Sequence, residues 1–151
     1  MMEIINLLDY EKKEEILLQL KNCEWGAGVF LADLVENNKI FELCGKDTRV
    51  YMMLDNNKIV SFLTLANYDD IQPTIYTPWI GFVYTAPSYR GNRYSQILMR
   101  HAEGVARENN YTRVFVSTNH IGLYEKYGYE FFDILKDIEG NDSRVYKKEL
   151  E

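Results

Sequence analysis

The spacing of hydrophobic positions changes several times along the chain, and each change predicts an element. Residues 3–8 read as a short opening strand. Asp9 then looks like the N-cap of a helix led by Glu11, Lys12, Lys13 and Glu14, with Ile16, Leu17 and Leu20 as its apolar stripe. Residues 21–26 break that pattern. A second helix is predicted over 27–36, burying Phe30, Leu31, Leu34 and Val35 and stopping at Asn37-Asn38. Residues 40–47 show no period and read as an irregular connection. From Thr48 the period becomes that of strands: 50–54 and 59–65 form a hairpin around 55–58, 67–70 is a polar loop, and 79–85 is a third strand. Gly81 inside that strand predicts a bulge or a close approach to its backbone. Next, Ile97, Leu98, Ala102 and Val105 recur at helical spacing, with Gln96, Arg100, Glu103 and Arg107 on the other face. A β-rich run at 113–118, a short helical turn ending at Gly128, and an antiparallel pair (130–135 with 143–148) close the chain. This order, β-αα-βββ-α-β-α-ββ, predicts one α+β domain over 1–151 with a mixed sheet.

Between the third strand and the helix after it lies Pro87-Ser88-Tyr89-Arg90-Gly91-Asn92-Arg93-Tyr94-Ser95. A strand, a cationic turn and a helix start leave several backbone N–H groups without intrahelical partners. Those donors and the positive end of the helix dipole suit a phosphate, and Arg90 and Arg93 add charge there. The plain alternative is a strand–turn–helix connection with two solvated arginines.

These residues resemble the acyl-CoA pyrophosphate loop of the GNAT superfamily of N-acetyltransferases, Arg/Gln-x-x-Gly-x-Gly/Ala. Arg90 and Gly91 match, Arg93 stands where Gly is usual, and Ser95 where Gly or Ala is usual. Downstream, Leu123-Tyr124-Glu125-Lys126-Tyr127-Gly128-Tyr129 is similar to the superfamily's Leu-Tyr-x-Lys-x-Gly-Phe segment, with the usual Asn-x-x-Ala lead altered to Asn119-His120-Ile121-Gly122. The two segments lie in the right order on either side of a helix and a strand. The resemblance implies a GNAT-like mixed sheet, mostly antiparallel, splayed beside the phosphate loop, with helices on both faces. It implies acetyl-CoA as acyl donor, held by Val83, Tyr84 and Thr85 on the strand, by Arg90, Gly91, Asn92, Arg93, Tyr94 and Ser95 in the loop, and by Asn119. It also implies that Trp25, between the first two helices, lines the acceptor pocket; the alternative is that Trp25 staples its loop to the core.

Composition narrows the partners. A net charge of −6 disfavours nucleic acid and anionic membranes and mildly favours a cationic acceptor such as an amine. Twelve tyrosines suit a site apolar on one side and wet on the other. Cys23 and Cys44 have no metal-ligand spacing and read as reduced thiols, so no metal is expected. No basic leader and no long apolar run is seen, so the expectation is a cytoplasmic protein. A homodimer stays open.

The chemistry implied is aminolysis of a thioester. Tyr124 matches the superfamily's general acid, and a phenol protonated at neutral pH can serve the leaving thiolate. Its alternative is a core tyrosine. The third strand lacks the Glu that many members use as base, which leaves Asp69, Asp70, ordered water or His120. Three functions fit: an N-acetyltransferase for a small-molecule or protein amine, a non-catalytic acyl-CoA sensor of the same fold, and an interaction module with a tyrosine-rich surface.

Overall fold

A seven-stranded sheet runs through the chain in the order β1-β2-β3-β4-β5-β7-β6, in a computed structural model that describes residues 1–151. Its strands are β1 (Met2–Asn6), β2 (Arg49–Asp55), β3 (Lys58–Ala66), β4 (Trp79–Thr85), β5 (Arg113–Ser117), β6 (Glu130–Lys136) and β7 (Asp142–Glu149). All neighbours are antiparallel except β4 and β5. Helices α1 (Lys13–Lys21), α2 (Gly26–Glu36) and α3 (Ile40–Cys44) follow β1, and α4 (Tyr94–Glu108) joins β4 to β5.

Strand alternation explains why helices sit on both faces. Val50, Met52 and Leu54 of β2 pack with Ile16, Leu20, Leu31 and Val35 of α1 and α2. The intervening Tyr51 and Met53 pack instead with Leu98, Met99, Ala102 and Ala106 of α4. A third cluster, Ile71, Trp79, Phe115 and Val145, closes the far end.

Four expectations shift. Helix α1 begins at Lys13, and Asp9 is not its cap: the chain first makes a 3-10 turn over Leu7–Asp9, driven by the full burial of Leu7. Asn6 caps that turn, accepting from the Leu8 N–H at 3.2 Å. Phe30 is 48% exposed, because Leu31, Ala32, Leu34 and Val35 already supply the buried face of α2. Residues 40–44 are helical, with Ile40 and Cys44 buried one turn apart, a stripe too short to show a period. On α4 the buried face is rotated, so that Ile97 is exposed and Glu103 is buried. Glu103 is satisfied by the Tyr129 hydroxyl (2.7 Å) and the Lys148 ammonium (2.9 Å), partners remote in sequence.

Candidate active site

Two irregularities in β4 open the sheet. Against β3, Phe62 pairs with Tyr84 but Thr64 pairs with Gly81, so Phe82 and Val83 together face Leu63 as a bulge. Phe82 takes φ of +52°, a left-handed conformation that is costly for a bulky residue and is held here by its surroundings. Against β5, β4 pairs in parallel only at Trp79 with Phe115 and Ile80 with Val116, after which the two strands part. Gly81 sits at the parting. A Cβ there would lie 2.0 Å from Asp69 Oδ1, so the missing side chain is what lets the Asp69 carboxyl rest on the strand.

The loop after β4 is a 3-10 turn over Pro87–Tyr89, then Gly91 at φ +87°, then Arg93 in the left-handed region as the N-cap of α4. The backbone N–H groups of Gly91, Asn92, Arg93, Tyr94, Ser95 and Gln96 donate to no protein acceptor. They surround the positive end of a 15-residue helix. Arg90 is steered back to the strand: its Nε donates to the Thr85 carbonyl at 2.9 Å, and its Nη2 pairs with Glu24 at 3.2 Å. Glu24 also accepts from the Tyr84 hydroxyl (3.2 Å), and Trp25 stacks on the Tyr84 ring at 5.4 Å, 5° from parallel.

Loop, bulge and helix enclose a cavity of about 760 Å³, lined by Glu24, Trp25, Val83, Tyr84, Thr85, Tyr89, Arg90, Gly91, Arg93, Tyr94, Ser95, His120, Leu123, Tyr124 and Tyr127. A cleft of about 180 Å³ leads inward between β4 and β5; it shares Trp25, Val83, His120 and Tyr124 with the large cavity and adds Asp69, Gly81 and Phe82, among others. Tyr124 lies between them, 6% exposed, and no protein group bonds its hydroxyl. Burial, reinforced by Tyr127 and by the charge of Asp69, pushes its pKa up to about 12. The Asp69 carboxyl is pushed up to about 7, first by burial and then by the neighbouring Asp70 charge.

The sequence model of the acetyltransferase (GNAT) family matches residues 9–129, most of the chain. The chain belongs to the GNAT acetyltransferase family. No curated protein matches it in sequence. Its fold is shared with solved structures. A GNAT acetyltransferase from Desulfovibrio desulfuricans aligns over all of both chains at TM-score 0.73 and 13% identity. An acetyltransferase from Streptococcus agalactiae aligns over 99% of this chain and 98% of its own, at TM-score 0.69 and 24% identity. An aminoglycoside 6'-N-acetyltransferase complexed with coenzyme A aligns over 99% and 97%, at TM-score 0.67 and 14% identity.

Of the residues singled out from the sequence, this GNAT fold brings Val83, Tyr84, Thr85, Arg90, Gly91, Arg93, Tyr94, Ser95 and Tyr124 around one cavity. Asn92 and Asn119 are outside the lining: Asn92 turns back to donate to the Tyr89 carbonyl at 3.1 Å, and Asn119 is exposed beyond β5. Trp25 lines this cavity and also packs against Phe62 at 6.0 Å, which ties its loop to the core. Sequence reasoning missed Glu24 and Tyr127. Tyr127 is one 3-10 turn after Tyr124, and its hydroxyl lies 3.3 Å from Ser95 Oγ, a spacing that the Leu-Tyr-x-Lys-Tyr segment already contained.

Proposed function

We propose that this GNAT protein is an acetyl-CoA-dependent N-acetyltransferase that acts by direct attack of an amine on the thioester, with Tyr124 as general acid and Asp69 as general base. The observation that carries the reading is the unpartnered Tyr124 hydroxyl at the junction of the large cavity and the cleft that holds Asp69. The unfilled N–H groups from Gly91 to Gln96 fit a pyrophosphate, and Arg90 and Arg93 supply countercharge. The unpaired bulge at Phe82 and Val83 suits the amide-bearing arm and the thioester carbonyl of the donor. That a structural neighbour is complexed with coenzyme A and is an N-acetyltransferase supports the donor and, at the level of an amine, the acceptor.

Each proton has a place. Asp69, with its pKa near neutrality, takes the first proton of the acceptor ammonium and passes it to solvent. The free amine then forms its bond to the carbonyl carbon as the carbon–sulfur bond breaks. Tyr124, fully protonated at neutral pH, gives its proton to the departing thiolate, and the second proton of the new amide nitrogen restores the phenol. His120 also lines both spaces, but as an exposed residue with no side-chain partner to orient it.

The test is release of CoA thiol from acetyl-CoA across a panel of amines, read with a thiol reagent, alongside the melting temperature with acetyl-CoA alone. Turnover with an upward shift is the expected result. A shift without turnover on any amine would favour the acyl-CoA sensor, and no shift at millimolar acetyl-CoA would remove the donor assignment.

A further inference from the structure

On the far side of the β4 bulge from the large cavity, a second cavity of about 270 Å³ opens between α2, α3 and the β6–β7 connection. Its walls are rings and aliphatic groups. Phe30 lies 6.4 Å from Phe82 in a near-parallel stack, and Trp25 meets Phe82 edge-on at 6.4 Å. Ala27, Leu43, Cys44 and Ile138 complete the apolar wall, and the polar lining consists of Asp69 and Asp70. Phe30 and Ile138 are 48% and 54% exposed, so the pocket presents apolar surface to solvent. The Ile138 N–H donates to the Asp70 carbonyl at 2.8 Å, which fixes the β6–β7 connection over the pocket. Asp70 Oδ1 is buried and has no partner. Trp25, Asp69 and Phe82 also line the inner cleft that Tyr124 borders, so the pocket and the cleft are adjacent across these three residues.

We propose that this cavity is the acceptor pocket and that it selects a small primary amine with an aromatic or branched aliphatic body and a single positive charge. The inference rests on the acetyltransferase reading and adds the substrate class. A volume of about 270 Å³ is just below the roughly 300–1,000 Å³ usual for ligand cavities, so it fits one ring and a short arm and not an oligosaccharide. Aromatic faces and an aliphatic wall take the apolar body, and ring faces tolerate a nearby ammonium. The two carboxyls are neighbours in the chain and are the pocket's only polar lining, so they hold one ammonium group beside Asp69. A polyamine or aminosugar would have to bury further charges against Phe30, Leu43 and Ile138, where nothing pairs them. Specificity here is the exclusion of extra charge as much as the welcome of one ring.

The experiment measures CoA release by the full chain with 2-phenylethylamine, isopentylamine, spermidine, kanamycin and a lysine-containing peptide, with product masses checked. The expected result is a kcat/KM for 2-phenylethylamine at least tenfold above those for spermidine, kanamycin and the peptide. Ala27 lines the pocket on a helix, and Ala27→Phe should fill it, raising KM for 2-phenylethylamine at least tenfold while KM for acetyl-CoA stays within twofold. Phe30→Ala removes a half-exposed ring that the core does not use, so it folds normally and should raise the same KM several-fold. Preferred turnover of spermidine, kanamycin or the peptide overturns the substrate class and leaves acetyl transfer standing. Preferred turnover of 2-phenylethylamine that ignores both substitutions overturns the pocket assignment. No turnover of any amine removes the acetyltransferase reading and this inference with it.

Discussion

Replacing Asp69 by Asn tests the chemistry and the fold in opposite directions. Asn keeps the shape over Gly81 and removes the charge. The unfolded chain loses the Asp69 proton near pH 4, whereas the folded protein holds it until about 7. Between those values the folded state binds more protons, so stability falls as pH rises through the window, and the full penalty is present above pH 7. A displacement from 3.8 to about 7 corresponds to at most about 4 kcal/mol. Water at the mouth of the pocket screens the group, so the expected gain of Asp69→Asn at pH 8 is roughly 1–3 kcal/mol. For a chain of this size that is an upward shift of roughly 3–10 °C. The gain should shrink steeply as pH falls toward 4 and vanish only below about pH 3, where both states are protonated. Activity should move the other way: kcat should fall by roughly 10²-fold or more, the usual worth of a positioned base. The rise of kcat/KM with pH through about 7 should lose the component that Asp69 contributes. Thermal melts at pH 4.5 and 8 and thiol release at pH 6 to 9 read both effects. A variant that melts lower than the parent at pH 8, or that keeps near-normal kcat, would refute the argument, because the carboxylate would then be a structural acceptor.

Tyr124→Phe should lower kcat by roughly 10²-fold with little change in KM for acetyl-CoA, since the proton transfer matters only as the thiolate leaves; its hydroxyl has no protein partner, so the melting temperature should hold within a few degrees. Glu24 competes for Arg90, so Glu24→Gln should tighten CoA binding a few-fold and Arg90→Ala should weaken it, both effects shrinking at high salt, as titration calorimetry at two ionic strengths would show. Lys148→Met strands the buried Glu103 carboxylate and should cost roughly 3–5 kcal/mol in a denaturant melt, whereas Arg113→Ala, which breaks an exposed pair with Glu149, should cost less than about 1 kcal/mol.

Where neighbours in sequence decide the structure, the sequence was legible. The hairpin of β2 and β3, the strand–loop–helix around Gly91 and the turn ending at Gly128 all declare themselves through local period and turn residues. The amide cradle could be foreseen because a helix start leaves its first N–H groups free whatever follows. What stayed hidden depends on partners far along the chain. Asp69 reaches the cleft only because Gly81, twelve positions on, leaves it room and because β5 turns away from β4. Glu103 reads as solvent-facing until Tyr129 and Lys148 are folded onto it. The bulge was predicted at Gly81, yet the left-handed residue is Phe82: Gly81 supplies the space and Phe82 the turn.

The Trp25–Tyr84 stack gives the protein a built-in optical reporter. The chain has two tryptophans. Trp79 is wholly buried, its indole N–H held by the Tyr76 carbonyl at 2.7 Å, so its emission should be blue-shifted and indifferent to ligands. Trp25 borders the large cavity, the inner cleft and the small pocket together. Any molecule entering one of these spaces displaces water from the indole or disturbs its stack on Tyr84. The ligand-dependent part of the tryptophan fluorescence, excited selectively over the tyrosines, therefore belongs to one residue, and occupancy of either half of the site can be titrated in the unlabelled wild-type protein.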